Sequence, residues 1–336
     1  MGLRNRLATF VHVSDLHIGA VDQNADARVD EHWRFSSWFD GLLGHEYLAL
    51  RALARLFADL KKNEQARLVV TGDLTQAGGA EAMQMASRYA SEELVFSDMR
   101  RIGLHEIDWR LRAIPGNHDQ WPGDGSIFGG PGNAVSAVFG KMPRVLAPIS
   151  LADGVLVRFL RIDSDAEVGW HSAQRFFARG SFRSDLDKID DVLRTRPSGQ
   201  REIRALLIHH SLAHHDFILG IAPSSREKLK DLIAQHGIAI VLSGHTHVPF
   251  VAKIPIQSLG RSFEIPEATC GSSTQRMYTP AGWRRIKGGE TLNSVLVHRL
   301  WSEGPREVTW EISTFLQFPR GFEEVPSRRR TFTMLP

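Results

Sequence analysis

The sequence is poor in the features that place a chain quickly. A single cysteine, Cys270, in 336 residues excludes an internal disulfide and a cysteine-built zinc site, and suits a reducing compartment. No apolar run approaches the ~20 residues that span a bilayer. The N-terminal stretch meets His12, Ser14 and Asp15 before an apolar segment of signal-peptide length develops. A cytoplasmic location is therefore expected. Charge of one sign is missing as well: 41 Lys and Arg against 38 Asp and Glu give a formal +3, with no overall field of the kind that draws nucleic acid or membrane. What remains is a chain of 42% hydrophobic composition, able to bury a sizeable core, with an unusual store of 15 histidines.

Apolar runs at 9–13, 67–71, 111–114, 156–162, 205–208 and 239–242 are short and rich in Val, Ile and Leu, as strands buried on both faces are. Helical spacing lies between them. Leu53, Leu56, Phe57 and Leu60 share one helical face, and Ser224 with Glu227 reads as a capping box ahead of Leu229, Leu232 and Ile233, closed by Gly237. This alternation predicts a layered α/β fold. After residue 250, Pro and Gly punctuate β-like runs at 294–300 and 307–315, which predicts a second, more antiparallel sheet. One domain over 1–336 is expected, with a motif-bearing core at 9–275 and a β-rich portion at 276–336 completing the second sheet.

The ends of these runs carry the chemistry. Ser14-Asp15-Leu16-His17 follows the first and Gly72-Asp73 the second. Pro115-Gly116-Asn117-His118-Asp119 follows the third, His209-His210 the fifth, and Gly244-His245-Thr246-His247 the last. Open α/β sheets form their ligand crevice at the carboxyl ends of strands, so side-by-side strands would gather these groups at one edge. Oxygen and nitrogen donors without a thiolate suit manganese, iron or zinc. About seven donors exceed what one ion takes and match two ions ~3.5 Å apart sharing a carboxylate, an arrangement that clamps phosphoryl oxygens. Singly, Asp15 reads equally well as a turn cap, Gly72-Asp73 as a strand-to-loop turn, and Asn117 as a left-handed residue after Gly116. The joint pattern is what points to metal.

In order and spacing, Asp-x-His, Gly-Asp, Gly-Asn-His-Asp, a strand-end His and Gly-His-x-His resemble the signature blocks of the calcineurin-like binuclear metallophosphoesterase superfamily, over roughly residues 9 to 275. The resemblance implies a four-layer α/β/β/α sandwich of two mixed sheets flanked by helices. It also implies two divalent ions: Asp15, His17 and His247 on the first, Asp73 bridging, and Asn117, His209 and His245 on the second. His118 would stand near the scissile bond without binding metal, oriented by Asp119, and a metal-bridging water or hydroxide would attack phosphorus. Of the pair His209-His210, His209 follows Ile208 and matches the family position, leaving His210 as a neighbour or a substrate contact.

Other residues have weaker claims. His214, in a loop beside the site with His215, is a candidate substrate contact, and equally a solvated loop residue. His12 reads as a packed polar group; His171, His236 and His298 carry no motif. Asp163 matches an acidic position seen near this point in the family, and support of neighbouring loops is an equal reading. Two long connections stand out: 19–45, with Trp33, Phe35, Trp38, Phe39 and Asp40, and 120–143, opening on Gln120-Trp121. Loops beyond ~15 residues carry function or structure of their own. Trp33, Trp38 and Trp121 are therefore candidate substrate contacts, against the simpler reading that such rings cover the edge of the core. Arg328-Arg329-Arg330 is below the cluster size that binds lipid or nucleic acid.

The form of the Asn-His block, Ile208-His209-His210-Ser211 and the helix before Val241 are most similar to the bacterial phosphodiesterase branch related to class III cyclic-nucleotide phosphodiesterases. The substrate this implies is a small phosphodiester such as a cyclic nucleotide or a glycerophosphodiester. A nuclease resembling DNA-repair exonucleases, which share an opening like Asp15 to Gly19, is the main alternative. It calls for a basic groove with stacking aromatics, which the charge balance does not show. Phosphomonoesters, including phosphoproteins, and a scaffold that has lost catalysis complete the set.

Overall fold

A computed structural model describes residues 4–21, 24–26, 44–76, 78–120, 133–167, 179–195, 201–215, 220–275, 292–304 and 307–334. In chain order the elements are β1 (Asn5–Val13), α1 (Tyr47–Glu64), β2 (Arg67–Thr71), α2 (Ala80–Ser91), β3 (Leu94–Val95), β4 (Arg101–Ile102), β5 (Ala113–Ile114), α3 (Asn133–Phe139), β6 (Ile149–Ser150) and β7 (Leu156–Arg161). They continue with α4 (Arg183–Arg194), β8 (Glu202–Leu207), α5 (Pro223–His236), β9 (Ile240–Ser243), β10 (Phe250–Ser258), β11 (Arg261–Thr269), β12 (Ser294–Gly304), β13 (Glu307–Phe318), β14 (Gly321–Glu324) and β15 (Arg330–Met334). Among the described residues no helix is long and apolar enough to cross a membrane.

Two mixed sheets face each other between helices, as expected. The first runs β14-β13-β12-β1-β2-β5, with β15 also on β13; the second runs β10-β11-β9-β8-β7-β6. Strands β1, β2 and β5 are parallel, as are β7, β8, β9 and β11. Alternation along each strand builds the layers. Phe10, Val69, Leu207 and Leu242 point between the sheets. Val11, Val13, Leu68 and Val70 meet Leu50, Leu53 and Phe57 of α1, and Leu206 and Val241 meet Leu186 of α4 and Leu229 of α5. Because both faces of each parallel strand are covered, these strands read as unbroken apolar runs.

Three expectations are corrected. The C-terminal strands do not complete the second sheet: β12 pairs antiparallel with β1, and β13, β14 and β15 follow it outward on the first sheet. The free edge of β1 needs a partner, and the long run of β12 supplies one over nearly its whole length; the antiparallel edges of the second sheet are β10 and β6. The run at 111–114 is strand only at Ala113–Ile114, because Trp109–Arg112 form a 3-10 turn and Arg112 turns back to the Leu68 carbonyl and Glu106. No capping box opens α5. Its first turn begins at Pro223, with no side-chain cap at Ala222; proline lacks the N–H that a cap would satisfy and presets φ. Gly237, at φ 58°, closes the helix as expected.

Candidate metal centre

The loops after β1, β2, β5, β8 and β9 meet at one edge of the two sheets. The first two are laced together by the Asp15 amide on the Gly72 carbonyl and the His17 amide on the Asp73 carbonyl, both 3.0 Å. Asp15, His17, Asp73, His245 and His247 all have positive φ, between 48° and 69°. Non-glycine residues seldom accept this region, and such strain gathers at functional sites. The motif glycines are explained by close approach: a Cβ on Gly116 would stand 2.2 Å from Asp73 Oδ1, and one on Gly244 would stand 1.8 Å from Ser14 Oγ.

Donors collect in two groups. Asp15, His17 and His247 offer ligand atoms all within 4.8 Å of one another, and so do Asp73, His209 and His245. A third group, His17, Asp73 and His118, overlaps both and puts Asp73 between them. His247 Nε2 lies 3.2 Å from Asp15 Oδ1 and 3.3 Å from His17 Nε2. His209 Nε2 lies 3.1 Å from Asp73 Oδ2, and Asn117 Oδ1 is 3.1 Å from both His209 Nε2 and His245 Nδ1.

These contacts suit a cation better than a hydrogen-bond network. Each carboxylate has one oxygen anchored by a main-chain N–H: Asp15 Oδ2 by His245 at 3.0 Å, Asp73 Oδ1 by His118 at 2.8 Å. The other oxygens, Asp15 Oδ1 and Asp73 Oδ2, are buried with no hydrogen-bond partner. On the imidazole side, Nδ1 of His247 faces Gln275 Oε1 at 2.8 Å and Nδ1 of His209 faces the Thr71 carbonyl at 2.7 Å. Those acceptors require the N–H at Nδ1, which turns the Nε2 lone pairs toward the carboxylates. Lone pairs aimed at one another, with the far nitrogens of His247 and His209 held, form the donor set of divalent ions.

For the polypeptide alone, protons on the imidazoles balance the carboxylates where a cation would otherwise do so. Burial pushes Asp15 upward, yet His247 and His209 outweigh it and hold the carboxyl at about 2. Burial also opposes ionisation of Asp73, but His209 and His118 keep it well below the usual carboxylate range. His209 is the counterpart: burial lowers its pKa, and Asp73 raises it to about 10. Burial takes His17 down to about 3, and burial, followed by the charges of His210 and His209, lowers His245.

The remaining expected residues fall as follows. His118 holds Nδ1 on the Gln76 carbonyl at 2.9 Å and places Nε2 4.0 Å from Asp73 Oδ2. The orientation expected from Asp119 is thus provided by main chain. Asp119 braces two loops instead, accepting the amides of Gly116, Leu74 and Thr75 and the Thr75 hydroxyl at 2.8 to 3.1 Å; burial and then the charge of Asp73 raise it to about 7. His210 is fully buried, its Nδ1 2.7 Å from Ser164 Oγ and its ring 4.3 Å from that of His245. His214 belongs to a loop clamped from both sides, by Glu267 on the amides of Leu212 and Ala213 and by Arg226 on the carbonyls of Leu212 and His214. Asp163 accepts the Gln120 side chain. Trp33, Trp38 and Trp121 lie outside the described residues. Gln275, against His247, and His45, which accepts the Gly19 amide and faces the Ala25 carbonyl, belong to no motif and are not readable from sequence.

Comparison with known proteins gives the family. Residues 8–249 match the profile of the calcineurin-like phosphoesterase family. Among solved structures, a dimetal phosphatase from Danio rerio aligns over 98% of this chain and 99% of its own at 13% identity, with a TM-score of 0.54. A predicted phosphoesterase from Streptococcus pneumoniae aligns over 97% and 98% at 12% identity and a TM-score of 0.36. A search of curated protein sequences finds no match. With 242 of its residues under the family profile and the candidate ligand clusters of a binuclear centre at its strand ends, the chain belongs to the calcineurin-like phosphoesterase family and is a hydrolase of phosphoric esters.

Proposed function

We propose that the chain hydrolyses a phosphodiester in a small molecule, such as a cyclic nucleotide or a glycerophosphodiester, as in the class III phosphodiesterase branch. The carrying observation is the pair of donor groups joined by a third, His17, Asp73 and His118, which shares His17 with one and Asp73 with the other. Asp15, His17 and His247 would hold one divalent ion, Asn117, His209 and His245 the other, and Asp73 both; manganese, iron or zinc fits a donor set of oxygens and imidazoles. Bound there, two such ions supply an activated water and neutralise the phosphate oxygens that would otherwise repel it.

The chain's own residues do the rest. With His118 Nδ1 held by Gln76 and Nε2 facing Asp73, Nε2 is the atom that would hold or pass a proton at the leaving ester oxygen. Burial lowers the His118 pKa while Asp73 acts the other way. Asp119 keeps the Gly116 turn and the Leu74–Thr75 main chain in one piece, so that Asp73 and Asn117 keep their separation. A small substrate is favoured over nucleic acid by the balance of 41 basic and 38 acidic residues, since nucleases rely on a basic track. A cytoplasmic location is part of this reading, supported by the free, buried Cys270. So is one domain over 1–336, supported by C-terminal strands that share the sheet of β1.

The test loads purified protein with manganese and compares a chromogenic phosphodiester, the matching monoester, cyclic AMP and single-stranded DNA at two salt concentrations. Preference for the small diester is expected. Preference for the monoester would make the chain a phosphomonoesterase, and salt-sensitive DNA cleavage alone would make it a nuclease.

A further inference from the structure

We propose that Gln275 is a positioning residue for the ion bound by Asp15, His17 and His247; the proposal rests on the ligand assignment of the proposed function. A metal-binding imidazole usually has its far nitrogen held, which fixes its orientation and tautomer. For His209 the holder is main chain, the Thr71 carbonyl of β2. For His247 it is a side chain, with Gln275 Oε1 2.8 Å from Nδ1. His247 needs this more than its partners do. Its side chain is 20% exposed where those of Asp15 and His17 are fully buried, and its backbone sits at φ 56°.

Gln275 is itself fixed. The Ser272 hydroxyl donates to the same Oε1 at 2.9 Å. The Asn293 amide donates to the Gln275 carbonyl at 2.9 Å, and a β-bridge joins Gln275 to His45. The residues just before it hold the opposite side of the same ion position: the Ser273 amide bonds the Ser14 carbonyl at 3.0 Å, and the Thr274 hydroxyl bonds the Leu16 carbonyl at 2.6 Å. One short segment after β11 therefore holds both the Asp15-His17 loop and the ring of His247. An uncharged amide oxygen does this without adding a further negative charge beside Asp15.

The experiment titrates manganese into wild type, Gln275→Leu, Gln275→Glu and Ser272→Ala, reading stoichiometry by elemental analysis and ion pairing by electron paramagnetic resonance. Wild type is expected to take two ions with a spin-coupled signal. Gln275→Leu should keep one ion at its original affinity and bind the other about 10- to 100-fold more weakly, the range for losing such a partner, with an isolated-ion signal replacing the coupled one. Gln275→Glu keeps an acceptor and should keep both ions, and Ser272→Ala should weaken one ion by a smaller factor. Wild-type affinities for both ions in Gln275→Leu would overturn the proposal, as would equal weakening of both ions or a Gln275→Glu variant as impaired as Gln275→Leu. If Gln275→Leu fails to fold, the glutamate and Ser272 variants decide the matter. Wild type binding fewer than two ions would overturn the ligand assignment itself, whereas two ions in wild type and an unaltered Gln275→Leu would overturn only the role of Gln275.

Discussion

Two buried histidine clusters lie on either side of Thr71, and they are built on opposite principles. Between the sheets, the Trp310 indole donates to His298 Nδ1 at 3.0 Å, His298 Nε2 faces His12 Nδ1 at 3.3 Å, and His12 Nε2 faces Thr71 Oγ1 at 2.9 Å. An indole only donates, so the direction of every link follows: His298 carries its proton on Nε2, and so does His12. This chain of contacts crosses β13, β12, β1 and β2, contains no carboxylate, and none of its members has positive φ. At the strand ends, one main-chain oxygen away, imidazoles face carboxylates with acceptor atoms left over, and five residues sit in strained backbone. Buried polar groups that can satisfy each other do so. Where folding leaves them unsatisfied and strained together, the balance is made up by something the polypeptide does not itself contain.

The largest expected effect comes from removing what is shared. Asp73→Asn should release both ions in elemental analysis and lower turnover by more than about 10⁴-fold, since each bound metal is worth several kcal/mol and each 1.36 kcal/mol is tenfold. Loss of a single ion would mean that Asp73 serves one position only. His118→Ala sharpens the contrast within the cluster. It should leave both ions in place and lower kcat by about 10² to 10⁴, the worth of a general acid. A variant that loses metal would move His118 from proton handling to the ligand set, an outcome its place in the third donor group makes worth measuring.

What could be read from the sequence divides along the same line. The strand-end donors were legible because each sits directly after an apolar run, and because a glycine marks the places where Gly116 and Gly244 must approach Asp73 and Ser14. Asp119 was legible as a residue but not in its task, because a carboxylate next in sequence to a histidine need not face its ring. The placement of β12 on β1 was hidden, since pairing of residues almost 300 positions apart leaves no local pattern. Gln275 and the His12–His298 link were hidden for the same reason: each is defined by a partner brought up from another element, His298 lying 286 positions from His12.

Trp310→Phe tests the satisfied cluster. It keeps the ring packing but removes the N–H on His298 Nδ1, leaving a buried acceptor unpaired. The expected cost is about 1 to 3 kcal/mol in urea or thermal unfolding, with kcat per metal-loaded chain unchanged. A fall in metal content would show that the inter-sheet cluster reaches the centre through Thr71.

The smallest effect is on the pH dependence of stability, and its sign is fixed by burial. Burial takes His12 down to about 3, with the charge of Asp15 acting the other way, and holds His298 well below its ordinary 6.5, helped by His12. Both imidazoles are therefore neutral in the folded chain at pH values where the unfolded chain has protonated them. Stability rises with pH wherever the unfolded state binds more protons, so this contribution is complete above about pH 6.5 and is lost as the pH falls toward the folded values. Each imidazole adds about 1.4 kcal/mol per pH unit to the slope. His298→Leu removes one of them. Unfolding free energies of wild type and variant, measured by urea between about pH 6 and 4, should differ in slope by about that amount whatever the offset at neutral pH. Parallel curves would mean that His298 is already charged in the fold, which would put a proton on Nδ1 against the N–H of the Trp310 indole and break that contact.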